Sequence, residues 1–368
     1  MIDTIMIIIP IGSFKVLDTS RFNPDARHVL SRFGSDCRCY QNCSNAELES
    51  GIYKPKLTIS KKRIQNGISI SLLIEFSIPK LIFGNNFEEV TEEHFDIIIQ
   101  VLQDVLLSMA VEIEQNILIN AKVIRIHYSK NLVITQYSTC CEVLKIMEKA
   151  DISKRLDFAR SDYKNNGEII RYHASSYELS FYDKMKDLRT ATQLSEKRAF
   201  ERQNQIQSEF LDKAKGEEVF RMEFRINDMD KLKDDVFKKL NIEYPEPTFK
   251  NLFNKELARK ACLYFWRIVK EASSSAITAQ NKCLTAFQNL IHLGYKPEKA
   301  AAIAQAYELL RNGFGMRDFK NMSKPWYKLI KEATGRMNLE RSYLHSAFLN
   351  IERLLDSFEP LSFSSFNL

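Results

Sequence analysis

Four segments of this chain alternate apolar and polar residues with a period of two, the pattern of a strand that buries one face and wets the other. Ile68 to Pro79 sets Ile70, Leu72, Ile74, Phe76 and Ile78 against Ser71, Leu73, Glu75 and Ser77. Lys122 to Ser129 turns Ile124, Ile126 and Tyr128 inward and Arg125, His127 and Ser129 outward. In Tyr177 to Lys184 the apolar row is Tyr177, Leu179 and Phe181, which throws Tyr182 and Lys184 to the other side. In Phe220 to Ile226 the row is Phe220, Met222, Phe224 and Ile226, which leaves Arg221, Glu223 and Arg225 outward. The apolar stretch Ile5 to Ile11 reads as a first strand ahead of them all.

What lies between these segments narrows the fold. Thr91, followed by Glu92 and Glu93 where the helix dipole favours acids, opens a stretch with apolar residues at helical spacing as far as Met109. A long charged helix from about Met185 to Lys215 joins the third strand to the fourth. The order strand, helix, strand therefore occurs twice. The expected fold is α+β: two β-α-β halves forming a mainly antiparallel open-faced sheet with helices on one side, followed by an all-helical carboxy-terminal region. Asn165, Asn166 and Gly167 supply turn chemistry before a strand at Glu168 to His173, and Ala174 to Ser176 turns back into the Tyr182 strand.

Beyond residue 227 the periodicity is helical throughout, so the expected division is a catalytic unit, 1–227, and a helical DNA-binding or accessory unit, 228–368. Gly294 closes one helix, Pro297 opens the next, and Gly313 follows its end at Asn312. Ser323 and Pro325 open a shorter helix ending near Gly335, and Asn338 caps a last one running towards Ser357. Gly313 to Met322 reads as a loop, longer than the turn of a helix-turn-helix motif.

At 368 residues, 45% of them hydrophobic, the chain can bury a sizeable core. No apolar run approaches the ~18 residues of a membrane span, and the first strand has neither a basic segment before it nor a small-residue cleavage site after it. Seven cysteines, an odd number, suit a reducing cytoplasm. Cys37, Cys39 and Cys43 lack the paired spacing of a zinc ribbon, and Cys140 and Cys141 are expected in or against a helix. The net charge of +6 is concentrated. Between Arg311 and Arg341 the cations Arg311, Arg317, Lys320, Lys324, Lys328, Lys331, Arg336 and Arg341 face only Asp318, Glu332 and Glu340. That region suits a polyanion, although a solvated helical surface explains it as often.

Collected on one face, Glu75, Ser77, Arg125, His127, Ser129, Tyr182, Lys184, Arg221, Glu223 and Arg225 are the ingredients of a transesterification at phosphorus. A phenol, with a reference pKa of about 10, needs positive charge or a base beside it to attack at neutral pH, and Lys184 offers the charge. Mg²⁺ or Mn²⁺ held by Glu75, Glu223 and His127 would polarise the phosphate, while Arg221 or Arg225 takes the charge developing on its oxygens. The competing reading is a cross-strand ladder of ion pairs with a structural His127. Asp183 should point away from Tyr182 and start a turn or cap the helix after Lys184. The sequence has no G-x-x-x-x-G-K-[ST], G-x-S-x-G or H-E-x-x-H motif and no His-hydrophobe-His triplet.

The chain resembles the gene II/gene X replication initiators of filamentous phages and related plasmids. The resemblance runs over residues 1 to about 275, through Met1-Ile2-Asp3, the block Ile74 to Asn86, the block Arg125 to Asn131, the stretch Asp162 to Glu168, then Phe181-Tyr182-Asp183-Lys184 and Arg221-Met222-Glu223-Phe224-Arg225. It implies an endonuclease and strand transferase that nicks one strand at a rolling-circle origin, with Tyr182 as nucleophile and acidic residues where other nickases use a histidine pair. The implied partners are origin DNA, duplex and single-stranded, with host helicase and polymerase in a bacterial cytoplasm. Some members carry Asp where this chain has His127, which weakens its reading as a metal ligand. Arg125 and the cluster Arg311, Arg317, Lys320, Lys324, Lys328, Lys331 and Arg336 are the expected DNA contacts. A non-catalytic origin-binding protein of the same fold is the alternative.

Overall fold

The most apolar strand takes an interior place in the sheet, where both of its edges are paired and one face is buried. In the computed structural model that strand is β1 (Ile2–Pro10). The structure describes all residues except 32–33, 66, 153–159, 165–167, 174–175, 198–210, 279–282, 337–342 and 363–368. The other strands are β2 (Lys15–Val16), β3 (Cys37–Gln41), β4 (Lys56–Ile64), β5 (Gly67–Ser77), β6 (Val111–Glu112), β7 (Lys122–Val133), β8 (Arg160–Lys164), β9 (Ile169–His173), β10 (Tyr177–Asp183) and β11 (Val219–Ile226). Nine of them form one sheet in the order β3-β4-β5-β1-β7-β11-β10-β9-β8, antiparallel at every step. The fold is thus α+β, with the helical carboxy-terminal region expected from the sequence.

The two strand, helix, strand passages differ in pairing. β5 and β7 both run antiparallel to β1 and so parallel to each other, with the helix Phe95–Ser108 between them in sequence and β1 slotted between them in space. β10 and β11, by contrast, are antiparallel neighbours. The helix that leaves β10 spans Lys184–Lys197, and the rest of the expected helix lies partly outside the described residues. The turn expected at Asn165 to Gly167 also lies outside them, as does most of the one at Ala174 to Ser176; β9 and β10 pair as the hairpin requires.

One side of the sheet is the main core. Ile5, Ile7, Ile74, Phe76, Ile126, Phe181, Phe220 and Phe224 lie in it. The helix Lys255–Thr278 seals it with Phe265, 4.0 Å from Phe224 between ring centroids, and Trp266, which stacks on Phe348 of the helix Tyr343–Ser357 at 5.2 Å. The alternation expected in β7 breaks at one place. A bulge between the pairs Met6–Arg125 and Ile7–Val123 lifts Ile124 out of the core and puts Val123 into it.

The region after residue 227 is not one unit. Leu232, Phe249, Leu252 and the helices Lys255–Thr278 and Tyr343–Ser357 share the sheet's core. A separate apolar core joins Leu290, Ile303, Tyr307, Leu310, Met316, Phe319, Tyr327 and Ile330. It belongs to the helices Cys283–His292, Pro297–Arg311, Met316–Met322 and Lys324–Arg336. The presumed loop from Gly313 to Met322 therefore holds a helix, and the links on either side of it are short. Gly315 starts that helix by donating its N–H to Asp318 Oδ2 at 2.7 Å. No helix among the described residues is long and apolar enough to cross a membrane.

Candidate functional site

The polar face of the sheet is built by register. Tyr182 lies opposite Arg221, Ser180 opposite Glu223 and Glu178 opposite Arg225. On the other edge of β11, Arg221 meets Asn131, Glu223 meets Ser129 and Arg225 meets His127. Tyr182, Lys184, Arg221, Glu223 and Arg225 thus come together, as the alternation of their strands dictates.

Glu223 is the hub. Its Oε1 accepts from the Tyr182 hydroxyl at 2.6 Å and from Arg221 Nε at 2.8 Å, while its Oε2 accepts from Arg225 Nη2 at 2.6 Å. Arg221 carries further bonds, from Nη2 to Asp3 Oδ1 at 2.9 Å and from Nη1 to Asn131 Oδ1 at 3.0 Å and the Asn86 carbonyl at 3.1 Å. Arg225 also pairs with Glu178 at 3.1 Å. Arg221 is 1% exposed, Glu223 5% and Tyr182 8%. Buried charges persist only when paired in this way.

The electrostatics follow. Burial, and then the charge of Glu223, push the Tyr182 phenol well above its ordinary value. Although burial opposes its charge, Arg221 and Arg225 hold the Glu223 carboxyl below the usual range. Burial, then Arg221, lower Lys184, whose ammonium lies 5.8 Å from the Tyr182 ring centroid and donates to Asp187 at 2.8 Å. The closed site holds a neutral phenol in a fixed hydrogen bond. Asp183 does cap the next helix, accepting from the N–H groups of Met185 and Lys186 at 2.9 and 3.1 Å.

The expected metal set does not assemble. Glu75 sits on β5, three strands from Glu223 on β11, roughly 14 Å of sheet width. Its carboxylate reaches across Met6 to Arg125 at 3.2 Å. Glu223 is already filled by four donor groups from three residues. His127 lies near Glu223 and Asp3, with a buried Nε2 that has no hydrogen-bond partner among the described residues, and burial together with Arg225 lowers it to about 4. Glu75, His127 and Glu223 therefore do not fit one Mg²⁺ or Mn²⁺. Among the described residues, a set of ligand atoms does converge at Cys140, Asp183 and Glu218, all within 4.8 Å of one another. Both carboxylates are engaged there at helix starts, Asp183 as above and Glu218 by accepting from the Cys140 N–H at 2.8 Å.

The basic cluster divides in two. Arg311 pairs with Glu308, Arg336 with Glu332, and Arg317 and Lys320 with Asp151. Lys324, Lys328 and Lys331, at helical spacing on Lys324–Arg336, are exposed and make no ion pair among the described residues. Phe319 and Tyr327 are buried, whereas Trp326 is 37% exposed. Sequence reasoning gave no site role to Asp3, Asn86, Asn131, Glu178 or Asp187. Asp3 sits at a bulge in β1, where alternation fails, and Asn86 sits in a segment with no period.

Comparison with protein-family models, with curated proteins and with solved structures finds no match to this chain.

Proposed function

We propose that the protein is a replication initiator that nicks and rejoins one DNA strand at an origin through Tyr182. The observation that carries this reading is the Tyr182 hydroxyl held at 2.6 Å on Glu223 amid Arg221, Arg225 and Lys184. In the reaction, the phenol oxygen attacks a phosphodiester and bonds to phosphorus. The bond from phosphorus to the 3′ oxygen breaks, the phenol proton leaves by way of Glu223, and the departing 3′ oxygen takes up one proton from water. The products are a 5′-phosphotyrosyl link and a free 3′-hydroxyl, which serves a host polymerase as primer behind a host helicase. A returning 3′-hydroxyl reverses the step without ATP, because the phosphotyrosine keeps the bond energy. Arg221, Arg225 and Lys184 take up charge on the phosphate oxygens. Mg²⁺ or Mn²⁺ belongs to this proposal as a required additive, and no step is assigned to a metal held by Glu75, His127 and Glu223.

The second reading, a non-catalytic origin-binding protein, is favoured by the saturation and burial of Tyr182 and Glu223. One experiment separates the two. Full-length protein is incubated with supercoiled plasmid bearing the cognate origin and Mg²⁺ or Mn²⁺, then run on denaturing gels for protein attached to a 5′ end. The nickase forms the adduct and Tyr182→Phe abolishes it with DNA affinity retained. No adduct with either chain sinks the nickase reading.

A further inference from the structure

The polar face is closed at the end where Tyr182 lies, and the closure can be traced bond by bond. Residues 84–90 form an arch with no helix or strand of their own, bonded to β7 through Asn131 and to β11 through Arg221. Within it, the Asn86 carbonyl accepts from Arg221 Nη1 at 3.1 Å and its side-chain oxygen from Lys184 Nζ at 3.2 Å, the two cations that flank Tyr182. Asn85 Oδ1 shapes the arch by accepting from the N–H groups of Phe87 and Glu88 at 2.9 and 3.0 Å. Phe87 then buries itself in a small cluster with Met185, Leu188, Ala214, Val219 and Leu361.

Leu361 is the link to the other end of the chain. After the helix Tyr343–Ser357, Phe358 takes a φ of 50° and the chain doubles back. The Glu359 carbonyl accepts from Lys130 Nζ at 2.6 Å, Leu361 N–H donates to Glu89 Oε2 at 3.0 Å, and Glu89 N–H donates to the Leu361 carbonyl at 2.9 Å. Glu89 also pairs with Lys130 and accepts from Asn131 N–H at 2.6 Å. Asn131 in turn donates from Nδ2 to the Phe87 carbonyl at 2.7 Å and accepts from Arg221 at 3.0 Å. Residues 358–362, the arch and the arginine opposite Tyr182 are one connected network, and Leu361 supplies its apolar contact with Phe87.

We propose that residues 358–362 are an autoinhibitory strap: docked on Glu89 they hold the arch over Tyr182, and their release opens the phenol to a phosphodiester. The functional half of this inference rests on Tyr182 being the nucleophile. A segment without secondary structure keeps its place only through such contacts, so losing a few of them opens it locally without unfolding the sheet. A phosphate reaching Arg221 and Lys184 competes with Asn86 for the same two donors.

The test uses the full chain, Leu361→Ser, and a variant ending at Ser357, each treated with tetranitromethane and read by peptide mass at individual tyrosines. Tyr128 and Tyr172, fully buried, report an intact fold, and Tyr40, 40% exposed, reports reagent activity. Tyr182 nitration should rise at least ten-fold in both variants while Tyr128 and Tyr172 stay protected. Unchanged protection of Tyr182 with the fold intact would overturn the strap. Should the variants lose Tyr128 protection, hydrogen exchange of the unaltered chain decides. The amides of Phe87, Glu89 and Leu361 exchanging at one common rate, faster than β1 and β5, supports the strap; independent rates refute it. Because nitration needs no DNA, a variant that exposes Tyr182 yet forms no adduct with origin DNA counts against the nuclease reading and leaves the strap standing.

Discussion

At the scale of the residue, His127 carries the clearest dependence on pH. It sits among Arg125, Arg225, Asp3 and Glu223, and burial first, then Arg225, lower it to about 4 from an ordinary 6.5. Between those values the unfolded chain binds a proton that the folded chain does not, so stability falls as pH drops through that window. In metal-free buffer the expected loss from this residue is about 2 kcal/mol between pH 7 and pH 5. Urea unfolding of the parent and of His127→Gln at both pH values measures it, and equal losses in the two chains would remove the account. The residue scale is also where alternation in the sequence was most legible. It placed Tyr182, Arg221, Glu223 and Arg225 on one face because strand period alone decides that. It could not say that Glu75 would be spent on Arg125, since that pairing depends on β1 lying between their strands.

At the scale of the element, the helix Met316–Met322 carries cations that hold the protein together, and the helix Lys324–Arg336 carries three that make no ion pair among the described residues. Asp151, 2% exposed at its side chain, takes up Arg317 and Lys320, whereas the stripe Lys324, Lys328 and Lys331 faces solvent. On the proposed reading as a DNA-binding initiator, replacing all three by Ala should weaken binding and reduce the slope of log affinity against log salt by about 2 to 3. Fluorescence anisotropy over a salt series reads this, and an unchanged slope would take DNA contact away from the helix. Net charge in the sequence flagged the region. Only the helix-by-helix pairing shows which cations are available, and the helix Met316–Met322 was hidden because its seven residues span too few turns to show a period.

For the whole molecule, two apolar cores meet at Asp151. Besides its two cations, it accepts from the Tyr327 hydroxyl at 3.1 Å, while Lys149 donates from Nζ to the Arg311 carbonyl at 3.1 Å and accepts from Met316 N–H at 2.9 Å. Removing the buried carboxylate takes away one acceptor from the Tyr327 hydroxyl and one counter-charge from two partly exposed cations. Asp151→Ala should cost roughly 1 to 2 kcal/mol, felt in the helices of residues 283–336 and not in the sheet. Hydrogen exchange resolved by peptide would show it; uniform acceleration across the sheet would mean that the two cores unfold as one.

The sequence by itself determined the strands of the site, the apolar and polar rows along them and the helical second half, because all of these are set by periods of two and 3.6 along the chain. Strand order, the bulges at Asp3 and Ile124, the cover over Tyr182 and the sharing of carboxylates among arginines were decided by tertiary structure. Each of them joins residues far apart in sequence, as Glu89 and Leu361 do, and no local pattern records which distant group will arrive to satisfy a buried charge.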